Sequence, residues 1–574
     1  MPRPAFGAAL RPGLAALHRR DGPALRGDLL AGLTVAAYLV PQVLAYAELA
    51  GLAPVTGLWA VVAALVVYAV LGSSPQLSVG PESTTALMTA VAIAPLAGAD
   101  PARYAALAAG LALLVGAICL LGRVARLGFL ADLLSRPVLV GYLTGIALIM
   151  IVSQLENVTG VPVAGTTFLA DLASFATLLG SAHLPTLLLG TSELAFLLAG
   201  SRLLPRAPIP LLGVLLAAAA VGVLGLSRYG IATVGPVPEG LPRPALPAVA
   251  PADLAQLILP AIGVAFVAYS DNVLTGRAFA TRHRGHIDAD QEMLALGAAN
   301  VAAGLFQGFP SSSSGSRTVI GDALGSRSQL YSLVALVAVL AVLLVGGPVL
   351  AAFPTAALGA LVIYAALRLI ELGEFRRIAR FRRTELALAL ATTAAVIGLG
   401  VLYGVLAAVA LSILDLLRRV SRPHDGILGY VPGLAGMHDI DDYPDATVVP
   451  GLVVYRYDAP LCFANAEDFR RRALAALDAA PTAPEWLLLN VEAVTDVDLT
   501  ATDMLHQLRD ELVRRRIVLA LARVKQELRG DLQASGLLTR IGEDRIFPTL
   551  PTAVHAFHVE HGPPGPPGLS RSAG

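Results

Sequence analysis

Cysteine is nearly absent from this chain of 574 residues, which has only Cys119 and Cys462. The first sits in an apolar run and the second in a strand-like one, which argues against a disulfide framework. Charge is scarce too, at 14% of residues, where soluble proteins carry roughly a quarter. The 41 basic and 41 acidic residues cancel, so there is no footprint for a nucleic-acid partner. Lysine is missing except for Lys525, which together with abundant Ala, Gly and Pro reads as the codon bias of a GC-rich bacterium. No phosphate loop, HExxH pair or cysteine pair at metal spacing occurs. The one serine-rich run has no histidine partner in the apolar region, since His283 and His286 lie in a charged loop. These absences weigh against an enzyme, and neither a cofactor nor a structural metal is expected. A cleavable signal pattern is also lacking: Arg19, Arg20 and Arg26 lead directly into a long apolar run.

What is abundant is apolar: 56% hydrophobic residues and a mean hydropathy of +0.70, the composition of a chain dissolved mostly in lipid. Bilayer-length runs fall at about residues 28–52, 57–71, 104–121, 137–157, 185–200 and 209–226. In the second half they fall at 253–280, 292–306, 329–346, 349–369, 386–401 and 403–419, with a short run at 317–324. Residues 166–182 read as an interfacial helix, and the Pro-rich connector 227–251 as an outside loop. Arginine-rich loops follow the fourth and sixth runs, and the most basic loop of the chain is RLIELGEFRRIARFRR at 368–383. Placing these inside agrees with the basic N-terminus, so both termini are expected in the cytoplasm of a bacterial inner-membrane protein. The expected division is a cytoplasmic segment 1–27, a transmembrane region 28–420, a small α/β domain 421–558 and a disordered tail 559–574. In the α/β part, strand-like LVVYR and WLLLNVE alternate with a helix-patterned DMLHQLRDELVRRR.

Two polar interruptions stand out within the apolar region. One is SVGPESTT at 78–85, the other QGFPSSSSGSRTVIGD at 307–322. Polar groups at membrane depth need partners or water, so each marks a functional site. In the first, Gly80 and Pro81 suit the turn before a helix and its first position. Such a half-helix starting near the midplane presents free N–H groups and a partial positive charge to an anion. Paired interruptions in the two halves of a hydrophobic chain point to a transporter site built from broken helices. Gln42 follows the kinking Pro41, and reads equally as interhelical glue or as part of the site. Asp271 lies mid-run with Asn272 and Thr275, and the i, i+4 spacing puts Asp271 and Thr275 on one face. A carboxylate at this depth is a proton relay, a cation ligand or half of an ion pair.

The motifs PQVLAYAELAG (41–51), SVGPESTTALM (78–88), AYSDNVLTG (268–276) and PSSSSGSRT (310–318), in this order, resemble the SulP (sulfate permease) family. DVDLTATDML (496–505) is similar to the loop of the C-terminal STAS domain that accompanies it. The resemblance covers about residues 25–558. It implies an α-helical polytopic membrane protein of about 14 transmembrane segments in a 7+7 inverted repeat of core and gate, followed by a small α/β STAS domain. It also implies secondary active transport of an inorganic anion and a homodimer in the bilayer. The third and tenth segments would be broken, with the backbone around Glu82, Ser83 and Thr84 facing that around Ser314, Gly315 and Ser316 across the substrate. Gln42, Tyr46 and the Ser316/Arg317 position would line the same pocket. Arg317 supplies a permanent charge, either toward the substrate or as a structural cation paired with Asp271 or Glu82. Family members with Glu at the Asp271 position are thought to be proton-coupled, whereas sodium/bicarbonate symporters carry Asp with Thr four residues on. This chain has Asp271 and Thr275, so both a proton and a sodium ion fit. Glu82 departs from the family pattern, where an apolar residue follows Gly-Pro. It reads either as a carboxylate stabilised by the helix dipole or as a group coupling anion to proton uptake. Asp498 and Thr500 sit where related regulators are phosphorylated, and Asp498 fits a helix cap equally well. Sodium-coupled bicarbonate or dicarboxylate symport, an uncoupled anion channel and a nucleobase permease are the competing readings. A neutral base, however, needs no permanent cation.

Overall fold

A computed structural model describes residues 22–98, 100–129, 135–163, 167–204, 207–236, 240, 243–283 and 285–562. The expectations for residues 1–21 and for the Gly-Pro tail after residue 562 lie outside the described residues. The chain divides into two compact units, one through Ser412 and one from Ile413.

The first half of the first unit holds α1 (Gly22–Leu49), α2 (Val55–Leu71), and a short strand β1 (Val79–Gly80) continued by α3 (Ser83–Ala97). Then come α4 (Pro101–Val124), α5 (Arg136–Ser153) with the turn α6 (Leu155–Thr159), α7 (Phe168–Leu178), α8 (Leu184–Leu203) and α9 (Ile209–Val223). The second half repeats the plan. It has α10 (Pro251–Arg282), α11 (Ala289–Leu305), and β2 (Ser312–Ser313) continued by α12 (Gly315–Ala323). After these come α13 (Leu330–Val345), the turn α14 (Gly347–Ala351), α15 (Thr355–Leu369), α16 (Leu372–Phe381), α17 (Arg383–Leu399) and α18 (Val401–Ser421). α7 has no fully buried residue and packs against α5.

Packing reveals the internal repeat. α4 packs on α10 and α11, and α13 packs on α1 and α2; exchanging halves maps one set onto the other. The remaining helices obey the same exchange, since α5 packs on α17 and α15 on α8. An odd number of crossings per half would put equivalent segments on opposite sides of a membrane, which is what makes such a repeat inverted. The helices α1, α2, α4, α10, α11 and α13 form the core, and α5, α8, α15 and α17 the gate. Within the core, α4 and α11 meet through glycines: a Cβ on Gly116 would lie 2.7 Å from the Gly297 carbonyl oxygen. Lipid gives helices no hydrophobic reason to associate, so small residues that let backbones touch supply the contact.

Two details depart from the run lengths expected above. The run 137–157 is interrupted, α5 ending at Ser153 and α6 beginning at Leu155. The run 349–369 is split by Pro354, which directly precedes α15 and cannot continue a preceding helix.

The second unit is a six-stranded sheet of order β4-β3-β5-β6-β7-β8. Its strands are β3 (Asp425–Tyr430), β4 (Met437–Asp439), β5 (Leu452–Tyr457), β6 (Trp486–Asn490), β7 (Val518–Ala522) and β8 (Ile546–Phe547). β5 to β8 run parallel, β3 antiparallel to both neighbours. The helices are α19 (Ala466–Asp478), α20 (Leu499–Arg514), α21 (Gln526–Ala534), α22 (Leu537–Ile541) and α23 (Leu550–His561). A strand covered on both faces reads as a continuous apolar run, and β6 is buried along its whole length.

Candidate functional site

The two polar interruptions come together. β1 and β2 pair antiparallel, Val79 opposite Ser313 and Gly80 opposite Ser312. The Ser314 N–H donates to the Ser78 carbonyl at 2.8 Å. Opposed strands send α3 and α12 away in opposite directions, so both helices begin at the strand pair. Extended backbone at this depth needs partners that water cannot supply, and neighbouring side chains supply them. Thr318 Oγ1 accepts from the Ser78 N–H (3.0 Å). Asn300 accepts from the Ser311 N–H (2.8 Å) and donates to the Ser311 carbonyl (3.0 Å). Gln329 Nε2 donates to the Ser74 and Leu77 carbonyls (2.8 and 3.0 Å).

Arg317 is fully buried, 0% exposed. Its two terminal nitrogens donate to the Pro81 carbonyl at 3.2 Å, and Nε donates to Ser78 Oγ at 3.3 Å. These acceptors are neutral, and among the described residues Arg317 forms no ion pair. Of the two readings of Arg317, an ion pair with Asp271 or Glu82 is not formed among the described residues: the guanidinium braces one broken segment against the other, with Glu82 acting on it only through space.

The helix starts differ from one another. α3 is capped by Glu82, whose Oε2 accepts from the Thr84 N–H (2.8 Å) and Oε1 from Ser83 Oγ (2.7 Å). Ser83 and Thr84 are thus already engaged. α12 has no side-chain cap from Ser314, and Ser314 Oγ lies 3.3 Å from Ser316 Oγ. Gly315 and Ser316 are exposed while Arg317 directly behind them is not, and a Cβ on Gly315 would meet nothing within 4 Å. The first turn of α12 therefore opens its free N–H groups onto empty space. Tyr46, 2% exposed, interacts with Glu82, Arg317 and Ser83. Gln42, one turn earlier on the same face of α1, is 5% exposed and its Oε1 has no hydrogen-bond partner.

Asp271 on α10 joins this group. Its Oδ2 accepts from Ser313 Oγ at 2.9 Å, and the Thr275 side chain bonds it as well. Asn272 does not belong with them. It is fully buried and donates through Nδ2 to Glu292 Oε2 at 2.6 Å, because successive residues on a helix point about 100° apart. Glu292 also accepts from Tyr68 (2.9 Å) and from the Ser73 hydroxyl and N–H (2.7 and 2.8 Å). This acid fastens α2, α10 and α11 together. It was not singled out from sequence because an acid in the first turn of a helix looks like an ordinary dipole partner.

In the second unit, Asp498 caps α20 through Oδ1 to the Ala501 N–H (2.8 Å), while Oδ2 accepts from the Phe463 N–H (2.6 Å). Thr500 is exposed on the same turn. Among the described residues no cluster of three or more His, Cys, Asp or Glu could hold a metal ion.

Comparison with known proteins agrees with this architecture. Residues 25–392 match the model of the sulfate permease family and residues 443–553 that of the STAS domain. A probable sulfate transporter of Mycobacterium tuberculosis is 62% identical over 547 residues, covering 95% of this chain and 98% of that protein. A sulfate transporter of Arabidopsis thaliana is 30% identical over 92% of this chain and 84% of its own length. Among solved structures, the murine solute carrier 26 family member A9 anion transporter in its inward-facing state superimposes with a TM-score of 0.89. It is 24% identical, and the match covers 97% of this chain and 95% of that one. The transmembrane domain of a cyanobacterial bicarbonate transporter superimposes with a TM-score of 0.59 at 22% identity, over 69% of this chain and 99% of its own. The chain belongs to the sulfate permease family, and its C-terminal unit carries a STAS domain.

Proposed function

We propose that this chain is a secondary active transporter of small inorganic anions, with sulfate the first candidate, seated at the open start of α12. The observation that carries this reading is the contrast between the two broken helices. One start is already neutralised by Glu82, while the other is uncapped, open and backed by a buried guanidinium. Converging N–H groups and a fixed charge in a low-dielectric site are worth far more to an anion than in water. The Tyr46 phenol and the amide N–H groups of Gln42, which lies one turn away on the same face, are the further donors this reading offers the anion. The similarity to proteins named sulfate transporters supports the choice of anion.

Coupling is assigned to Asp271. An anion and an ionised carboxylate in one apolar chamber repel each other, so uptake favours a protonated Asp271, which is anion/proton symport. Glu82 serves as the cap of α3, both its oxygens accepting hydrogen bonds. Movement of the core against the gate, elevator-like, carries the occupied site across a bacterial inner membrane. The termini lie on the cytoplasmic side, and the working unit is a homodimer.

A second reading is favoured by one cluster: the Asp271 carboxylate with the Ser313 and Thr275 hydroxyls is an all-oxygen set that suits sodium. It would make the protein a sodium-coupled bicarbonate or dicarboxylate symporter. Labelled sulfate and bicarbonate uptake into proteoliposomes, with pH and sodium varied separately, separates the two. Proton-coupled symport predicts sulfate uptake driven by an inward proton gradient and indifferent to sodium. Asp271→Asn should abolish that gradient dependence. Uptake that follows sodium alone would contradict it.

A further inference from the structure

The most basic stretch of the chain takes no part in the anion site. α16 lies between α15 and α17, which carry the apolar runs at 349–369 and 386–401, so both its ends are held where the chain leaves and re-enters the apolar layer. Its ten residues reach only about 15 Å, half of a hydrocarbon core of about 30 Å, too short to cross it, which fits a connector at the membrane boundary. Ile378 is 6% exposed, with Glu374 and Phe375 half-buried beside it. At helical spacing these three form one stripe against the protein. Glu374 Oε2 pairs with Arg136 Nε at the start of α5 (2.9 Å) and Oε1 with Arg377 (3.2 Å). The one acid of the helix is thereby used up.

The other face carries Arg376 and Arg380, followed by Arg382 and Arg383, all exposed and without a carboxylate partner among the described residues. Arg382 lies over the Phe381 ring, 5.4 Å from its centroid. Phe381 and Leu372, at opposite ends of the helix, are 69% and 63% exposed. Large apolar side chains bracketing a row of guanidiniums are poorly suited to water. They match the boundary between acyl chains and headgroups.

We propose that α16 is a docking site for anionic phospholipid headgroups. Phe381 enters the acyl boundary, and Arg376, Arg380, Arg382 and Arg383 hold headgroup phosphates, with which guanidinium forms forked, charge-assisted hydrogen bonds. Charge complementarity selects the occupant, because anionic lipids attract basic segments next to membrane spans. Both helices joined by α16 belong to the gate, so the lipid contact anchors the part of the protein against which the core slides.

The test is lipid quenching in nanodiscs, independent of transport. A Phe381→Trp variant of the full chain is compared with its parent, whose Trp59 and Trp486 provide the background. Brominated phosphatidylglycerol and brominated phosphatidylcholine are used at equal mole fraction. The reporter signal should be quenched at least threefold more strongly by the anionic lipid. Adding Arg376→Gln, Arg380→Gln and Arg383→Gln should erase that preference, and the matching lysine triple should keep it. Equal quenching by the two lipids would overturn the proposal, as would none by either, which would put another occupant on the helix. Survival of the preference in the glutamine triple would overturn it too.

Discussion

Arg317 illustrates how a single side chain serves both the fold and the site. Its hydrogen bonds to Pro81 and Ser78 tie the two broken segments together, and its charge lies behind the open turn of α12. Arg317→Lys keeps the charge but not the fork, and Arg317→Gln loses both. The glutamine variant should lower sulfate uptake at least tenfold, equivalent to about 1.4 kcal/mol, and the lysine variant less. Equal activity in Arg317→Gln and the parent would exclude an electrostatic role. Glu82 acts in the opposite sense, as a negative charge facing an anion. Glu82→Gln keeps an acceptor for the Thr84 N–H and removes a repulsion on the order of 1–2 kcal/mol. The KM for sulfate should therefore fall roughly five- to thirtyfold while the pH dependence carried by Asp271 persists. A KM unchanged or raised would contradict that placement. Gln42, Asp271 and Arg317 were legible from sequence because each is polar inside an apolar run. Asn300, Gln329 and Glu292 were not. A lone amide or acid near a helix end looks like a cap, and Gln329 finds its partner Ser74 only across 255 positions of sequence.

At the level of elements, Gly, Pro and Ser marked both interruptions correctly, because backbone that leaves a helix in lipid needs residues able to turn and to hydrogen-bond. The breaks at Gln154 and Pro354 were hidden, since Pro354 lies among apolar residues and a short turn does not register in a hydropathy average taken over a whole span. Glycine-mediated contact is likewise invisible until the helices are paired. Gly116→Leu would push a side chain into the Gly297 carbonyl and Val301, an overpacking that costs about 1–3 kcal/mol. The purified protein should melt several degrees lower, whereas Gly180→Leu, at a position with open space around it, should not; equal melting of the two variants would refute the contact. In the soluble unit, Glu560 bonds Arg545, which stacks 4.5 Å from the Trp486 ring centroid. The Arg545 guanidinium holds the Glu560 carboxyl below its ordinary range. A depressed folded-state value gives stability that is present above about pH 4.3 and is lost as pH falls. The difference in unfolding free energy between the parent and Glu560→Gln, read by Trp486 fluorescence, should be under about 1 kcal/mol at pH 7 and shrink as pH falls below the ordinary glutamate range. A difference independent of pH would rule out the ion pair as its source.

For the whole molecule, the two-fold repeat was visible in sequence only as two matching interruptions, whereas in the structure it governs the packing of nearly every long helix. The division into a membrane unit and an α/β unit followed from composition. The two compact units divide after Ser412, inside α18, where a continuous helix carries no compositional mark. Everything proposed about transport depends on an anion resting at the first turn of α12. The direct measurement is anomalous diffraction from crystals grown with selenate, a heavy stand-in for sulfate. A peak beside the Gly315 and Ser316 N–H groups, within reach of Gln42 and Tyr46 and lost in Arg317→Gln, is the predicted result. A peak elsewhere in the membrane unit, or none from crystals of protein that still takes up sulfate, would contradict it.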